Sequence, residues 1–396
     1  MSTWRSLVIV QVPPYPPTGG VALRNWQTLN LLKRQGDVTI FSVYKGSSTA
    51  AALAEKGFQL SHYDIASPNR PWHEKIKNRL GPLRPDGYYY SDWLYTAAAS
   101  KQLRQLLHTY QPTLIVFEEL WLYPYLPVVK NYPCPIILDN HNIEGSKEDY
   151  RLQPYKLKQI RHIEKKFVRQ VDQTWVCSTV DAQQLQQLYG VSNTVKIIAN
   201  GVQANFYQPT TQQNRDNHQI LFLGKFSYQP NEEAALIAIN EIYPTLKKYY
   251  SDSQLWLVGR DPTPAMTTAA NSDQDIHITG MVADVRPYLQ TASVMIVPLR
   301  QGGGTRLKII EAFASHCPVV STTKGAEGLQ AKDNYHLCIG NSPKQIVDQV
   351  MHLWQNQPSA QQMAAQAYEL FMQNYSWQAV AKSTAAALAT LSRVCC

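Results

Sequence analysis

Residues 297–329, VPLRQGGGTRLKIIEAFASHCPVVSTTKGAEGL, have the composition of a phosphate-binding site. They read as a strand, a glycine loop, a helix, a second strand and a second glycine-bearing loop. Gly302, Gly303 and Gly304 have no Cβ, so their backbone can approach a ligand closely. The following helix directs its free amide groups and the positive end of its dipole at the same loop. This segment, residues 297–329, is called the glycine string. It lacks the G-K-[ST] of a P-loop and the G-x-G-x-x-G of a dinucleotide fingerprint, so neither of those sites is predicted.

The helix predicted from about Thr305 carries polar groups suited to a nucleotide. Lys308 and Glu311 are three residues apart and share one face, while the apolar residues occupy another. Glu311 would lie about 9 Å along the helix, near the ribose of a diphosphate bound at the helix end, and Lys308 would offset phosphate charge. Thr305 and Arg306 are adjoining substrate-binding candidates. The alternative is a solvent-exposed pair on an ordinary helix.

Further candidates follow other predicted strands. Lys225 comes after QILFLG and Arg260 after QLWLVG, where either cation could meet a phosphate. Gly19 and Gly20 precede a predicted helix and could admit a phosphate or a sugar. The alternatives are an exposed loop lysine and a simple turn between strand and helix.

Two acidic segments of the sequence are further candidates for chemistry. Glu118 and Glu119 end TLIVFEE, where they could help deprotonate an acceptor or be solvated carboxylates at a strand end. Asp273-Gln274-Asp275 matches the Asp-x-Asp pair that holds a divalent ion in metal-dependent transferases. It opens a polar loop away from the glycine string, so we interpret it as a chance match and expect no metal.

Apolar β-rich runs alternate with helical patterns along the chain, and two of these patterns predict helices over 94–110 and 232–249. The alternation predicts parallel strands joined by crossover helices. A polar segment, ANFYQPTTQQNRDNHQ, predicts a linker before the alternation restarts. We therefore predict an α/β protein of two tandem, doubly wound Rossmann-like domains, residues 1–203 and 204–375, facing each other across a cleft. The helical segment 376–396 is predicted to rejoin the first domain.

The composition narrows the class of protein. A length of 396 residues suits two domains, and a 44% hydrophobic share excludes wholesale disorder. No apolar run approaches the roughly 18 to 20 residues that span a bilayer. The six cysteines have neither metal-ligand spacing nor a disulfide-dense pattern, which favours the cytoplasm.

The net charge of +8 belongs to the first half of the chain. Residues 1–198 hold 23 Lys and Arg against 15 Asp and Glu, whereas residues 199–396 hold 14 against 14. The densest basic stretch, 155–169, has apolar residues at helical spacing and predicts a basic amphipathic helix. It is either an ordinary solvated helix or a contact with anionic lipid at the inner face of the membrane. No nucleic-acid motif accompanies the charge, so no nucleic-acid partner is expected. The membrane hypothesis adds these residues: Trp72, Lys75, Lys77, Arg79, Tyr88, Tyr89, Tyr90 and Trp93.

The glycine string strongly resembles the nucleotide-binding segment of family-4 glycosyltransferases of the GT-B fold, in the subgroup reading GGGTRLKILEA. The segments FLGKFSYQPNEEAA, VPPYPPTGGVALRNWQTLNLL and LDNHNIEG resemble the same subgroup. The resemblance implies metal-independent transfer of a sugar, with retention of configuration, from a nucleotide diphosphate sugar to a glycan or lipid-linked acceptor. It also implies a place in polysaccharide biosynthesis and no cofactor.

The resemblance implies roles for single residues in both domains. His141 would contact the transferred sugar, with Asn142 and Glu144 as weaker companions. The alternative for His141 is a purely structural histidine. Lys225 stands where the family has an arginine for the donor diphosphate, and the second basic position falls on Pro230. Lys308 or Arg306 is the candidate replacement for that second cation.

The family also carries a pair of glutamates eight positions apart. Glu311 fills the second place, but the first falls on Gly303, so backbone amides are expected to take over the contact with the donor sugar. This departure keeps open a catalytically silent nucleotide-sugar binder or assembly partner. Another GT-B activity, an inverting transferase or an epimerase, would need a clearly placed acid or base.

Overall fold

The computed structural model describes residues 4–17, 19–46, 49–65, 94–147, 153–207, 215, 217–271, 273–304 and 306–391. The chain divides into two compact units, Met1–Asn200 with Ala381–Cys396, and Gly201–Val380. Each unit has one parallel sheet whose strands alternate with helices, so the predicted α/β class is confirmed. The aromatic and basic residues proposed for membrane contact between 72 and 93 lie outside the described residues.

The sheet of the first unit has seven parallel strands in the order β3-β2-β1-β4-β5-β6-β7. Leu7 to Val10 are fully buried, because helices on both faces of a parallel sheet exclude water from its strands. β1 pairs with β2 on one side and with β4 on the other, so the winding reverses between β1 and β4. The strands are β1 Trp4–Val10, β2 Gly36–Tyr44, β3 Gln59–Asp64, β4 Leu114–Glu118, β5 Ile136–Asn140, β6 Gln173–Val176 and β7 Val195–Ile197.

The helices of the first unit follow the predicted pattern with shifted ends. The helix predicted from Leu94 begins at Ala97, because the Thr96 side chain accepts a hydrogen bond from the Ala99 amide at 3.0 Å and caps it. The helices are Gly20–Lys33, Ala50–Glu55, Ala97–Tyr110, Leu126–Val129, Pro154–Val168 and Thr179–Tyr189, with 3₁₀ turns at Leu120–Tyr125 and Glu144–Ser146. The final helix, Trp377–Leu391, binds this unit through Gln173, whose Nε2 donates to Ala387 O at 2.9 Å.

The sheet of the second unit has six parallel strands in the order β10-β9-β8-β11-β12-β13. β8 pairs with β9 on one side and β11 on the other, so the winding reverses between β8 and β11. The strands are β8 Gln219–Leu223, β9 Gln254–Val258, β10 Ile276–Gly280, β11 Val294–Val297, β12 Val319–Ser321 and β13 Cys338–Ile339.

Two helices of the second unit differ from the sequence expectation. The helix predicted over 232–249 is interrupted by a π-helical turn, Ala238–Ile242, just before Pro244, which has no N–H for the α-helical ladder. The helix predicted from Thr305 begins at Leu307, so Glu311 lies about 6 Å along it and not 9 Å. The helices are Ala204–Tyr207, Gln229–Ile237, Tyr243–Tyr249, Pro264–Ala270, Arg286–Thr291, Leu307–Ala314, Pro343–Gln355 and Gln357–Asn374. Across the described ranges, no helix combines the length and apolarity needed to cross a membrane.

A buried ion pair joins the separate strands and helices of the first unit. Arg24, in the helix Gly20–Lys33, donates from Nε and Nη2 to the Asp139 carboxylate at 3.0 and 2.8 Å. Its Nη1 donates to Ile198 O at 2.6 Å and to the Asn200 side chain at 3.1 Å. Thr28 donates to the same carboxylate at 2.9 Å. One guanidinium thereby holds the end of β5, the helix after β1 and the segment after β7.

We expect Arg24→Leu to destabilise the protein by about 3 to 5 kcal/mol, because it leaves the Asp139 carboxylate buried without its cation. Urea unfolding followed by circular dichroism measures the loss. Arg34→Leu is the matched control, since Arg34 is exposed at the end of the same helix. Equal effects of the two substitutions would contradict a special role for the buried pair.

Candidate active site

The glycine string of the second unit lies at the point between β8 and β11 where the winding of the strands reverses. The loop 298–306 follows β11, and the loop 224–228 follows the neighbouring strand β8. Ligands of open α/β sheets bind at the carboxyl ends of the strands at such a reversal. The structure thus brings the predicted phosphate loop and the segment around Lys225 to one place.

The glycine loop needs glycine at particular positions. Gly302 and Gly304 have φ angles of 100° and 85°, which side-chain-bearing residues rarely adopt. A Cβ on Gly302 would also lie 2.9 Å from the Tyr228 hydroxyl and 3.2 Å from Pro230, whereas one on Gly303 would meet nothing within 4 Å. Gly303 therefore leaves open space beside its backbone, as a phosphate or sugar contact requires. Thr305 lies outside the described residues.

Arg306 shapes this loop from within. Its Nη2 donates to Gly302 O and to Lys324 O, both at 2.9 Å, and its Nη1 donates to Gly303 O at 3.1 Å. Only 6% of the residue is exposed, and burial lowers the pKa of its guanidinium. The structure thus places this predicted ligand-binding residue on loop carbonyls, where it joins the loops after β11 and β12.

Lys308 is a half-buried cation with neutral partners. Its Nζ donates to the Asn231 side chain at 2.9 Å and lies 4.5 Å from the centroid of the Phe222 ring. Burial, reinforced by the nearby Arg306 charge, lowers the pKa of Lys308 to about 7, while Glu311 opposes the shift. An anionic ligand would supply the charge compensation that an amide and a ring cannot give fully.

Glu311 is half-buried on the same helix, one turn from its start. The Tyr207 hydroxyl donates to Glu311 Oε1 at 2.7 Å. Burial raises the pKa of Glu311, and the hydrogen bond from Tyr207 and the charge of Lys308 oppose that rise. The carboxylate has one oxygen held by protein, which suits it to accept a ligand hydroxyl with the other.

Asn231 connects the two predicted lysines and was missed in the sequence. Its side chain accepts from Lys308 and donates to Lys225 O at 2.9 Å, while Lys225 itself is exposed. Within the described ranges, the Lys225 ammonium has no hydrogen bond or ion pair and can meet a ligand. Arg260 is half-buried at the end of β9, and its carbonyl accepts from the Phe226 amide at 2.9 Å.

The Asp-x-Asp match lies at the other end of the strands. Asp273 and Asp275 precede β10, so they stand at its amino end and not at the carboxyl end that carries the glycine loop. Asp273 accepts from the Tyr243 hydroxyl at 3.0 Å, and Asp275 accepts from Lys247 at 2.7 Å. These contacts fix a surface turn and support the interpretation of a chance match.

The first unit carries its own glycine loop where the sheet reverses between β1 and β4. Gly19 has a φ angle of 94° and precedes the helix Gly20–Lys33, whose start receives no side-chain cap from the described residues. A Cβ on Gly20 would meet nothing within 4 Å. Uncapped amides beside open space fit the predicted contact with a phosphate or a sugar.

His141 is buried between two carboxyl groups at the same edge. Its Nε2 lies 2.8 Å from Glu118 Oε2, and its Nδ1 lies 3.7 Å from Glu119 Oε1. Burial lowers the pKa of His141, so its imidazole is neutral at pH 7, and burial raises the pKa of both glutamates. Glu118 and Glu119 are therefore buried members of a network and not solvated strand ends.

The backbone around this network is constrained as well. Glu119 has a φ angle of 80°, which is unusual for a residue with a side chain and typical of functional sites. Gln11 donates to its other carboxylate oxygen. Asn142 is half-buried next to His141, and Glu144 is buried and paired with Lys147 at 2.5 Å.

Glu164 is a buried residue that holds the segment around His141 through hydrogen bonds. Its fully buried carboxylate accepts from Asn140 at 3.0 Å, from the amides of Glu144 and Gly145 at 2.9 Å, and from the Tyr189 hydroxyl at 2.6 Å. In the sequence, Glu164 was only the single acid of the basic helix. Its position among the apolar residues of that helix was the signal that could have revealed it.

Glu118, Asp139 and His141 are close enough to share a metal ion, the one such group found within the described ranges. Both Asp139 oxygens, however, already accept from Arg24, and one also accepts from Thr28. The donor set therefore fits an internal polar network better than a cation site.

Two Rossmann-like units, each with a glycine loop at the reversal of its sheet, define the GT-B class of glycosyltransferase. Residues 18–206 match the family described as Glycosyltransferase Family 4, and residues 217–356 match that described as Glycosyl transferases group 1. The chain belongs to the family-4 glycosyltransferases and is a nucleotide-sugar-dependent enzyme.

Two proteins similar to the chain are distant from it in sequence. Glycogen synthase of Mycobacterium tuberculosis is 21% identical over 284 residues, 68% of this chain and 67% of that protein. An uncharacterized 44.6 kDa protein in the cps region of Klebsiella pneumoniae is 22% identical over 174 residues, 42% and 45% of the two chains.

Solved structures share the fold over nearly the whole length. Anabaena HepE in complex with UDP and glucose has a TM-score of 0.69 at 14% identity, covering 98% of this chain and 100% of that chain. Sucrose-phosphate synthase of Thermosynechococcus elongatus has a TM-score of 0.74 at 14% identity with the same coverage. At these identities the structures show the common GT-B fold.

We expect the affinity for a nucleoside diphosphate to fall by up to about tenfold per pH unit between pH 7 and 9. In the free protein Lys308 has a pKa of about 7, so it is neutral above that pH, and binding an anion must first take up a proton. UDP adds no slope there, because its terminal phosphate titrates near pH 6. Calorimetric titration with UDP across this range measures the slope.

Two variants separate Lys308 from the other charges near it, Lys225, Arg306 and Glu311. Lys308→Arg should bind UDP with a flat profile, since arginine keeps its proton throughout. Lys225→Met should weaken binding at every pH but keep the slope. A slope that persists in Lys308→Arg would show that another group titrates.

Proposed function

We propose that this glycosyltransferase moves a sugar from a nucleotide diphosphate donor to a glycan or lipid-linked acceptor, with retention of configuration and without a metal ion. The observation that carries the proposal is the half-buried pair Lys308 and Glu311 beside the open glycine loop. The loop amides and Lys308 suit a diphosphate, and Glu311 Oε2, which accepts no hydrogen bond from the described residues, suits a ribose.

Charge stabilisation is the main chemical task of such a site. The departing nucleotide carries about two to three negative charges, and Lys308, Lys225 and the loop amides are the groups that would stabilise it. In a front-face displacement the leaving diphosphate itself accepts the acceptor proton, so the protein need only position and stabilise. Among the described residues, neither Lys225 nor Lys308 forms an ion pair with a carboxylate, which fits stabilisation of the diphosphate without a metal ion.

The first unit supplies groups suited to a sugar. The neutral imidazole of His141, its neighbour Asn142 and the open backbone at Gly20 offer hydrogen bonds without adding charge. A neutral histidine beside a developing cationic sugar avoids electrostatic repulsion. We assign these residues to the transferred sugar.

The similar structures suggest which substrates to try first. HepE was solved with UDP and with UDP-glucose, and Staphylococcus aureus TarM with UDP and α-GlcNAc-glycerol. We propose uridine diphosphate sugars as the first donors to test. WaaB, a lipopolysaccharide outer core galactosyltransferase, and the Klebsiella protein in the cps region favour an acceptor from surface polysaccharide biosynthesis.

An assay of sugar transfer in EDTA, with NMR of the product, tests the proposed reaction. We expect transfer from an α-linked uridine diphosphate sugar to continue in EDTA and to give an α-linked product. Glu311→Ala should weaken donor binding by about 1 to 3 kcal/mol through loss of a charged hydrogen bond. Loss of transfer in EDTA would refute metal independence, a β-linked product would refute retention, and donor binding without any transfer would favour a silent binder.

The helix Pro154–Val168 offers a surface for peripheral membrane contact on the cytoplasmic side. Its apolar stripe is buried, while Lys158 and Lys165 are exposed and Tyr155 is 60% exposed. Each cation near an anionic surface contributes at most about 1 kcal/mol, so several must act together. Arg161 also faces outward but donates to Gly145 O at 2.8 Å, which ties it to the His141 segment.

We expect vesicles of phosphatidylglycerol and phosphatidylcholine to co-sediment the protein at low salt and to release it at high salt. A Lys158→Ala, Lys165→Ala double variant should lose most of this binding. Lys101→Ala with Lys130→Ala removes the same charge from exposed positions elsewhere in the unit and should retain it. If the wild type ignores anionic vesicles at low salt, this basic face is a solvated surface.

A further inference from the structure

Tyr207 makes the one hydrogen bond to the Glu311 carboxylate found within the described ranges. Its hydroxyl donates to Oε1 at 2.7 Å, and the residue is only 8% exposed. Burial and the neighbouring carboxylate raise the pKa of the Tyr207 hydroxyl, so it keeps its proton and always acts as the donor. Tyr207 is therefore the donor whenever the Glu311 carboxylate is ionised.

The short helix Ala204–Tyr207 that carries this tyrosine is itself anchored. The Arg286 guanidinium lies 3.8 Å from the centroid of the Phe206 ring, and its Nη1 donates to Phe206 O at 3.2 Å. Asp284 in turn accepts from Arg286 at 2.6 Å. Tyr207 thus approaches Glu311 from a backbone held by stacking and hydrogen bonding, and not from a free loop.

We infer that Tyr207 is a positioning residue that fixes Glu311 for the ribose of the donor nucleotide. The inference rests on the proposed function and adds to it a residue and a specificity. With Oε1 held by Tyr207, the carboxylate plane is set and Oε2 is presented for a ribose hydroxyl. Without the tyrosine hydroxyl, the Glu311 side chain can rotate and the ribose loses a fixed acceptor.

Discrimination between ribose and deoxyribose is the property that distinguishes positioning from simple packing. In the proposed complex, a ribose hydroxyl donates to Glu311. A nucleotide that lacks this hydroxyl should therefore gain no affinity from a carboxylate held in place. Tyr207→Phe keeps the ring and removes only the hydroxyl. It should therefore weaken ribonucleotide binding while leaving the deoxynucleotide nearly unchanged.

Calorimetric titrations with UDP, 2′-deoxy-UDP and 3′-deoxy-UDP provide the test. The wild type should prefer UDP to at least one deoxy analogue. In Tyr207→Phe the affinity for UDP should fall about five- to tenfold, the range of one hydrogen bond, and the preference should shrink toward that of Glu311→Gln. The double variant Tyr207→Phe, Glu311→Gln should show the same preference for UDP over its deoxy analogues as Glu311→Gln alone, since both changes act through one carboxylate.

Controls separate the possible failures. Tyr249→Phe removes a hydroxyl from a tyrosine that is 67% exposed and should change neither affinity nor preference. If Tyr207→Phe lowers the melting temperature but keeps the UDP preference, the tyrosine only packs and the inference is wrong. If the wild type binds neither UDP nor GDP, the proposed function fails and the inference with it, whereas UDP binding without any ribose preference overturns the inference alone.

Discussion

The buried ion pair of Arg24 and Asp139 is the interaction on which the first unit depends. Taking a guanidinium and a carboxylate out of water costs several kcal/mol for each ion unless both are fully hydrogen-bonded. Here the requirement is met, because the arginine also donates to carbonyls beyond β7 and the aspartate also accepts from Thr28. Three chain segments must therefore come together for the charges to be tolerated. The glycine loop before the helix and His141 beyond β5 are positioned as a consequence.

The second unit also positions its glycine loop through a buried arginine, but the partners of that arginine are different. Its glycine loop is held by Arg306 through backbone carbonyls, so that guanidinium is consumed in shaping the loop. Lys308, by contrast, has an amide and an aromatic ring as partners. The first unit therefore buries acids around a neutral histidine, while the second presents an incompletely compensated cation. That division suits a sugar on one unit and a diphosphate on the other.

The sequence predicted those features that are encoded over short distances. The alternation of strands and helices, the glycine loop and the face shared by Lys308 and Glu311 are local patterns, and the structure has all three. The helix start was placed two residues early, because Thr305 and Arg306 are compatible with a helix by composition alone. Element boundaries depend on individual caps and backbone angles, which local patterns specify poorly.

The contacts that organise the sites join residues distant in sequence, and local patterns could not predict them. Arg24 and Asp139 are 115 positions apart, Tyr207 and Glu311 are 104 apart, and Asn231 and Lys308 are 77 apart. A signal for some of them was nevertheless present. Polar residues inside an apolar helical stripe have to be satisfied once buried, and Arg24 and Glu164 both occupy such positions.

The helix Pro154–Val168 shows why a charge pattern alone is an incomplete guide to function. Its composition suggested a surface helix, yet its buried face carries the carboxylate of Glu164, which holds the backbone after His141. Arg161 lies between the two roles, exposed to solvent but bonded to Gly145 O. Lipid or any other anion bound at the basic face would therefore contact the same helix that supports the backbone after His141. Arg161 and Glu164 both bond the Gly145 backbone, so substitutions of these two residues share a partner and are expected to be non-additive.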